Sequence, residues 1–231
     1  MTEASARSPL FEPLLMKLYD FQLSGNCYKI RLLLGMLGLR YQRVRVDSSV
    51  GETHTETFRR LNPRAQIPVL EDGEVLLWDS MAILVYLARR YGDPQRPGGP
   101  WLPSDPLAEA RVMQWLAVSQ NELLYGLARA RSALKFGCDF EISDCQCEGR
   151  HGLSVLEWRL KGREWLVGDV ATIADVACYP YVALAPEADV SLDGYPAVTA
   201  WLGRFAALPG YRPMPGLGCE EKGSQAANAR K

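Results

Sequence analysis

The order of elements between Met16 and Val46 constrains the fold of this chain more than any other feature of its sequence. The run MKLYD alternates, which predicts a strand with Met16 and Leu18 facing inward. The run YKIRLLLGML has the apolar spacing of a helix, and RVRVD alternates again at Val44 and Val46. A strand, a helix and a second strand form a β-α-β unit, so the two strands are expected to pair in parallel.

A hairpin and another helix are predicted after this unit. In IPVLEDGEVLLWD, Asp72 and Gly73 lie between two β-rich runs, which is a strong short-range hairpin signal. The run SMAILVYLARRY then predicts a helix that begins at Ser80. Because a hairpin pairs its strands antiparallel, the complete sheet is predicted to be mixed.

The composition changes at residues 94–104, where Pro and Gly are too frequent for a helix to continue. Beyond Pro106 the apolar spacing predicts helices alone. We therefore expect an α/β domain and an all-α domain, joined by a linker and flanked by two polar ends. The predicted boundaries are an N-terminal extension at 1–14, the α/β domain at 15–93, the linker at 94–104, the all-helical domain at 105–217 and a flexible tail at 218–231.

Charge and cysteine usage exclude several kinds of partner and location. The chain has 231 residues, with 26 Lys and Arg against 27 Asp and Glu, so it has no excess of basic residues for nucleic acid or an anionic membrane. Its first residues lack the apolar segment of a secretory signal, and its apolar runs are shorter than the roughly 18 residues of a membrane span. Six cysteines in such a chain are typical of free thiols in a reducing cytosol. We expect a cytoplasmic protein.

The sequence SGNC, from Ser24 to Cys27, lies between the first strand and its helix. Thioredoxin-like proteins carry a C-x-x-C pair at such a turn, and here Ser24 holds the position of the first cysteine. The turn is therefore either a redox site that lacks one thiol or a site built around the Ser24 hydroxyl.

Two other pairs of residues are candidates for ligand binding. Pro68 begins a strand, and a cis bond after Ile67 would turn the Ile67 backbone toward a ligand; the alternative is an ordinary trans proline on an edge strand. Ser80 and Asp79 stand at a helix N-terminus, where a hydroxyl suits a carboxylate and an aspartate suits an ammonium group. Simple helix capping is the alternative for this pair.

Cys138, Cys145, Cys147 and His151 contain four potential metal ligands, but their spacing lacks the paired C-x2–4-C turns of structural zinc sites. Their acidic and polar neighbours favour a solvated loop with free thiols. We expect no metal.

In their order along the chain, these motifs resemble the cytosolic glutathione transferase family. The likeness covers roughly residues 16 to 216 and depends on SGNCYKIR, NPRAQIPVLEDG, LWDSMAILVYLARRY, the Pro-rich linker and TIADVACYPY. It implies a thioredoxin-like N-terminal domain with a mixed βαβ-ββα sheet, an all-α C-terminal domain and a homodimer. The turn resembles those of the theta- and zeta-like classes, whose active sites are of the Ser or Asn type.

The resemblance also implies roles for individual residues in binding glutathione. The Ile67 backbone, presented by a cis Pro68, corresponds to the contact with the cysteinyl unit. Asp79 and Ser80 correspond to the acidic–Ser pair that holds the γ-glutamyl head, and Gln66 falls where a side chain meets the glycyl end. His54 stands beside the position, Thr53, at which theta-like relatives have a His that contacts the glycine carboxylate.

The residue that faces the glutathione sulfur is predicted to be Ser24, by correspondence with the catalytic Ser of these classes. Asn26 is the second candidate, since an Asn or Thr near this turn does the work in other classes, and Cys27 is the third. Trp115 and Tyr125, on a long helical segment of the second domain, are predicted to line the pocket for the second substrate.

The implied enzyme is a glutathione S-transferase with glutathione as co-substrate and a small electrophile as second substrate. It would stabilise the glutathione thiolate and transfer it to an electrophilic carbon. A glutathione-dependent peroxidase or disulfide reductase is an alternative reaction for the same thiolate. A non-catalytic binding module of the same fold is the alternative from another class of function.

Overall fold

A computed structural model of the chain describes residues 16–95 and 100–215. The predicted N-terminal extension and C-terminal tail, as well as part of the predicted linker, lie outside these ranges. The N-terminal half contains, in order, β1 (Lys17–Asp20), α1 (Gly25–Met36), β2 (Gln42–Arg45), two short 3-10 turns (Ser48–Val50 and Glu52–His54), α2 (Glu56–Leu61), β3 (Val69–Asp72), β4 (Val75–Trp78) and α3 (Ser80–Tyr91).

These strands form one mixed sheet in the order β2-β1-β3-β4. β1 pairs with β2 in parallel and with β3 antiparallel, and β3 pairs with β4 across the turn at Gly73. Met16 and Leu18 are buried, as the alternation of the first run predicted. The predicted β-α-β unit, the hairpin and the mixed sheet are therefore confirmed, and the fold is a thioredoxin-like domain followed by helices.

The second half is helical throughout its described part. Its elements are α4 (Pro106–Gln120), a π-helical segment (Glu122–Ala128), α5 (Arg129–Phe136), α6 (Ile142–Leu160), α7 (Ile173–Ala183), a 3-10 turn (Ala185–Ala188) and α8 (Pro196–Ala206). α1 packs against both α3 and α7, and the larger of two hydrophobic clusters in the described residues extends from the sheet into the helices. No helix of the described ranges is both long and apolar enough to cross a membrane.

The prediction of a solvated loop around Cys145 and Cys147 is wrong, because both residues lie on α6. Two glycines explain this helix, whose first turns lack an apolar stripe. A Cβ atom on Gly126 would lie 2.3 Å from the backbone nitrogen of Gly149, so the π-helical segment and α6 meet backbone to backbone. Close approach through glycine thus replaces the side-chain packing that sequence patterns detect.

Candidate functional site

A cavity of about 670 Å³ separates the sheet domain from the helical domain, within the usual range of small-molecule pockets. One wall comes from the residues that follow β2 and surround β3 and β4. The other wall comes from the π-helical segment, α5, α7 and the residues after α5. Among the predicted site residues, the cavity brings together Asn26, His54, Gln66, Ile67, Pro68, Asp79, Ser80 and Tyr125.

The loop before β3 is held in place by the side chain of Asn62, which is buried. Its Nδ2 donates to the carbonyl of Gln66 at 2.6 Å, and its Oδ1 accepts from the N–H of Arg64 at 3.0 Å. The bond between Ile67 and Pro68 is cis. Asn62 therefore uses both ends of its amide to present this loop to the cavity.

Asp79 is the N-cap of α3, with a φ of 76° that non-glycine residues adopt rarely. Its Oδ1 accepts from the N–H groups of Met81 (2.9 Å) and Ala82 (3.4 Å). Its Oδ2 accepts from Arg64 Nη1 at 3.2 Å and from Gln120 Nε2 at 3.4 Å. The carboxylate thus caps the helix with one oxygen and turns the other toward polar groups of the cavity wall.

Ser80 is the first residue of α3 rather than its cap. Its side chain is buried, it lines the cavity, and its Oγ has no hydrogen-bond partner in the described part of the chain. Buried hydroxyl groups nearly always have a partner, so this oxygen is available to a ligand.

The SGNC turn places Ser24 and Asn26 differently. Ser24 is the N-cap of α1, where its Oγ accepts from the Cys27 N–H at 3.3 Å, and it is not part of the cavity lining. Asn26 does line the cavity, and its Oδ1 is buried without a hydrogen-bond partner among the described residues. Ser24 caps α1 from outside the helix and Asn26 belongs to its first turn, and of the two only Asn26 lines the cavity.

Cys27 is completely buried in α1 and is not part of the cavity lining. Burial, with the charge of Asp20 as a smaller cause, raises the pKa of its thiol to about 12. A thiol with this pKa carries almost no thiolate at neutral pH, so Cys27 is a packing residue in this state.

The two aromatic residues predicted for the second-substrate pocket are also separated. Tyr125 lies on the π-helical segment and lines the cavity with a partly exposed ring. Trp115 lies on α4, packs against the core, and is not part of the lining. π-helical segments occur frequently at functional sites, and this one turns Leu124, Tyr125 and Ala128 toward the cavity.

Arg64, Gln120 and Arg129 also line the cavity. Their types are ordinary for exposed loops and helices, and only the fold brings them to this place. Asp79 is the single acidic residue of the described lining, so the cavity carries an excess of positive charge and suits an anionic ligand. The described residues contain no cluster of His, Cys, Asp or Glu that could hold a metal ion.

Comparison with known proteins agrees with this architecture. Residues 15–89 match the family model "Glutathione S-transferase, N-terminal domain", and residues 145–209 match "Glutathione S-transferase, C-terminal domain". Glutathione S-transferase 1 of Dianthus caryophyllus is 32% identical over 78% of this chain and 79% of its own length. The chain belongs to the glutathione S-transferase family. The resemblance seen in the sequence is thereby confirmed.

Two further relatives show the breadth of this family around the chain. A glutathione S-transferase from Pseudomonas fluorescens, known from a crystal structure, is 37% identical with a TM-score of 0.79, over 87% of this chain and 98% of that one. Disulfide-bond oxidoreductase YfcG of Escherichia coli is 31% identical over 82% of this chain and 89% of its own length.

Proposed function

We propose that this protein binds glutathione, stabilises its thiolate and transfers it to an electrophilic small molecule. The observation that supports this most is the single cavity into which Asn26, Gln66, Ile67, Asp79 and Ser80 all open. In the reaction, the sulfur forms a bond to the electrophilic carbon, and the leaving group departs with its electron pair.

The binding roles follow the one wall of the cavity that the N-terminal domain provides. The unpaired Ser80 hydroxyl would donate to the γ-glutamyl carboxylate, and the Asp79 carboxylate would accept from the γ-glutamyl ammonium group. The Ile67 backbone, held by the Asn62 loop, would bond the cysteinyl unit. Gln66 and His54 stand further along the same wall and would contact the glycyl end.

We assign Asn26 as the donor to the thiolate, with Ser24 as the second candidate. Free glutathione has a thiol pKa of about 8.5, so only a few per cent is thiolate at neutral pH. Lowering this pKa by about two units needs about 2.7 kcal/mol of preferential binding of the anion. One hydrogen bond to a charged group supplies about 1.5–3 kcal/mol, and the N-terminus of α1 adds to it.

Single substitutions at the turn test this assignment. We expect Asn26→Ala to lower kcat with a standard aryl halide by about 10- to 100-fold while changing the Kd of glutathione only slightly. Ser24→Ala is the matched control and should lose little kcat, because its hydroxyl caps α1 and lies outside the cavity lining. The pKa of enzyme-bound glutathione, titrated by thiolate absorbance, should rise in the Asn26 variant alone. A fully active Asn26→Ala with an inactive Ser24→Ala would transfer the role to Ser24.

A glutathione-dependent disulfide reductase is the second candidate function, favoured by the similarity to Disulfide-bond oxidoreductase YfcG. The same thiolate would attack a disulfide sulfur, and the other sulfur would leave as a thiolate. Parallel assays of aryl halide conjugation, disulfide reduction and peroxide reduction rank these activities. Retention on immobilised glutathione without any turnover would instead favour a non-catalytic module.

We further propose a cytoplasmic homodimer with domain boundaries at residues 15–93 and 105–217. Support for the dimer comes from an apolar groove between α3 and α4, which includes Met81, Val85, Met113 and Leu116. Exposed apolar surface of this kind marks interaction sites on proteins.

A further inference from the structure

We infer that Arg129 forms an anion subsite that selects electrophiles carrying a carboxylate. This inference rests on the proposed function, because it names the class of second substrate for the same cavity. Arg129 lines the cavity on the helical wall, whereas the residues assigned to glutathione lie on the opposite wall and at the start of α1.

Two aromatic rings hold the Arg129 guanidinium. Its central carbon lies 4.0 Å from the ring centre of Tyr125 and 5.0 Å from that of Phe140, and both rings also line the cavity. Cation–π contacts of this kind hold the guanidinium beside the two rings. The N–H donors at its edge stay available, and they match the geometry of a carboxylate.

Arg129 has no ion-pair partner among the described residues. In residues 16–95 and 100–215, it makes no ion pair and donates no hydrogen bond, whereas Arg64 pairs with Asp79 and the neighbouring Arg131 pairs with Glu187 at 2.6 Å. A guanidinium remains charged at every physiological pH. Arg129 faces a cavity whose described lining contains one acidic residue, Asp79, and that carboxylate is already paired with Arg64.

The surroundings of Arg129 describe the rest of the ligand. Ser132 lies one turn further along α5 and adds a hydroxyl to the lining, while Leu124 and Ala128 give an apolar surface on the preceding turns. A suitable substrate therefore has an apolar or aromatic body and one carboxylate at its far end from the reacting atom. The carboxylate would orient the electrophile relative to the glutathione sulfur.

A matched pair of electrophiles tests this inference. Chlorodinitrobenzoate and chlorodinitrobenzamide present the same ring and leaving group, with and without a negative charge. Each kcat/KM is divided by the uncatalysed rate constant with glutathione, which removes the difference in intrinsic reactivity. For the unmodified enzyme we expect the carboxylate to be preferred by about tenfold, and the preference should shrink as salt is added.

Arg129→Gln should reduce this preference to about onefold, whereas Arg111→Gln, an exposed arginine on α4, should retain it. A dicarboxylate disulfide and a neutral hydroxyethyl disulfide form a second pair, which tells whether the anionic partner is attacked at carbon or at sulfur. An equal preference in the enzyme and its Arg129 variant, with both substrates turned over, overturns the subsite and leaves the proposed function intact. Absence of turnover with every electrophile overturns both.

Discussion

Lys29 is a basic side chain without solvent access at the junction of the two domains. Its ammonium group donates to Ser119 Oγ at 2.9 Å and lies 5.0 Å from the ring centre of Tyr181, a residue of the cavity lining. Burial lowers the pKa of Lys29 to about 7, although the charge of Asp79 acts in the opposite direction. A group that titrates this far from its ordinary value makes stability depend on pH.

We predict that the free energy of unfolding of the parent rises with pH because of Lys29, and that Lys29→Met removes this rise. Between the folded pKa of about 7 and the unfolded value of 10.5, the unfolded chain holds a proton that the native protein lacks, so raising the pH stabilises the native state. The free energy of unfolding of the variant minus that of the parent should be highest at pH 7 and below. It should then fall by about 4 kcal/mol toward pH 10. Denaturant unfolding across this range measures it.

Lys161→Met, at an exposed lysine after α6, is the control for removing a lysine that is not buried. Because both variants share every other titrating group with the parent, those groups cancel in the comparison. If the free energies of unfolding of Lys29→Met and the parent change with pH in parallel, the lowered pKa of Lys29 in the folded protein is contradicted.

At the scale of elements, α7 depends on the capping box at its start. Thr172 Oγ1 accepts from the Ala174 N–H at 3.2 Å, and Asp175 Oδ2 accepts from the Thr172 N–H at 2.9 Å. The other oxygen of Asp175 accepts from the Leu166 N–H and from Trp201 Nε1, so one buried carboxylate joins α7 to two other segments. This cap therefore supports packing well beyond its own helix.

We predict that Thr172→Val destabilises the protein by about 1–2 kcal/mol, because the variant keeps the shape of the side chain but loses the cap. For a chain of this length, that corresponds to a Tm lower by about 2–8 °C. Calorimetry or thermal circular dichroism would measure it. Thr199→Val, at an exposed position within α8, is the matched control and should shift Tm by much less. Equal shifts in the two variants would mean that the cap contributes nothing specific.

Strands and helices whose apolar residues recur at regular spacing were predictable from the sequence, whereas α2 and the first turns of α6, which lack such spacing, were not. The alternation in β1, the Asp72–Gly73 hairpin and the stripe of α1 each signal their own structure. α2 buries only Phe58, and a single buried residue gives no period to detect. The first turns of α6 pack through glycine rather than through apolar side chains, so their composition indicated a loop.

In the candidate site, the residues of one local motif were predictable, whereas those brought to the cavity by the tertiary fold were not. Asp79, Ser80, Gln66 and the Ile67–Pro68 pair lie in one stretch of sequence whose pattern belongs to the family. The choice between Ser24 and Asn26 depends on which residue of the SGNC turn lines the cavity, and no local sequence pattern indicates this. Arg129 reaches the cavity only through the π-helical segment before it, for which the sequence carries no recognised signal.

At the scale of the whole molecule, the two domains are connected by buried polar contacts as well as by the core. Arg131 on α5 is 3% exposed and donates to the carbonyl of Leu23 at 2.9 Å, next to the SGNC turn. Lys29 and Ser119 make the second such contact. The helical domain thus fixes the turn that carries Asn26, which is a requirement for a site assembled from both domains.

The apolar groove between α3 and α4 is the face that we expect to pair two copies of the chain. We predict that Met113→Glu, at a partly exposed position of this groove, converts the dimer into a folded monomer, because the interface would bury an unpaired carboxylate on each copy of the chain. Sedimentation equilibrium measures the mass, and circular dichroism checks the fold. Trp158→Glu, at the most exposed aromatic residue of α6, is the control and should remain dimeric. A dimeric Met113→Glu beside a monomeric Trp158→Glu would transfer the interface to the α6 surface, and a monomeric parent would overturn the dimer itself.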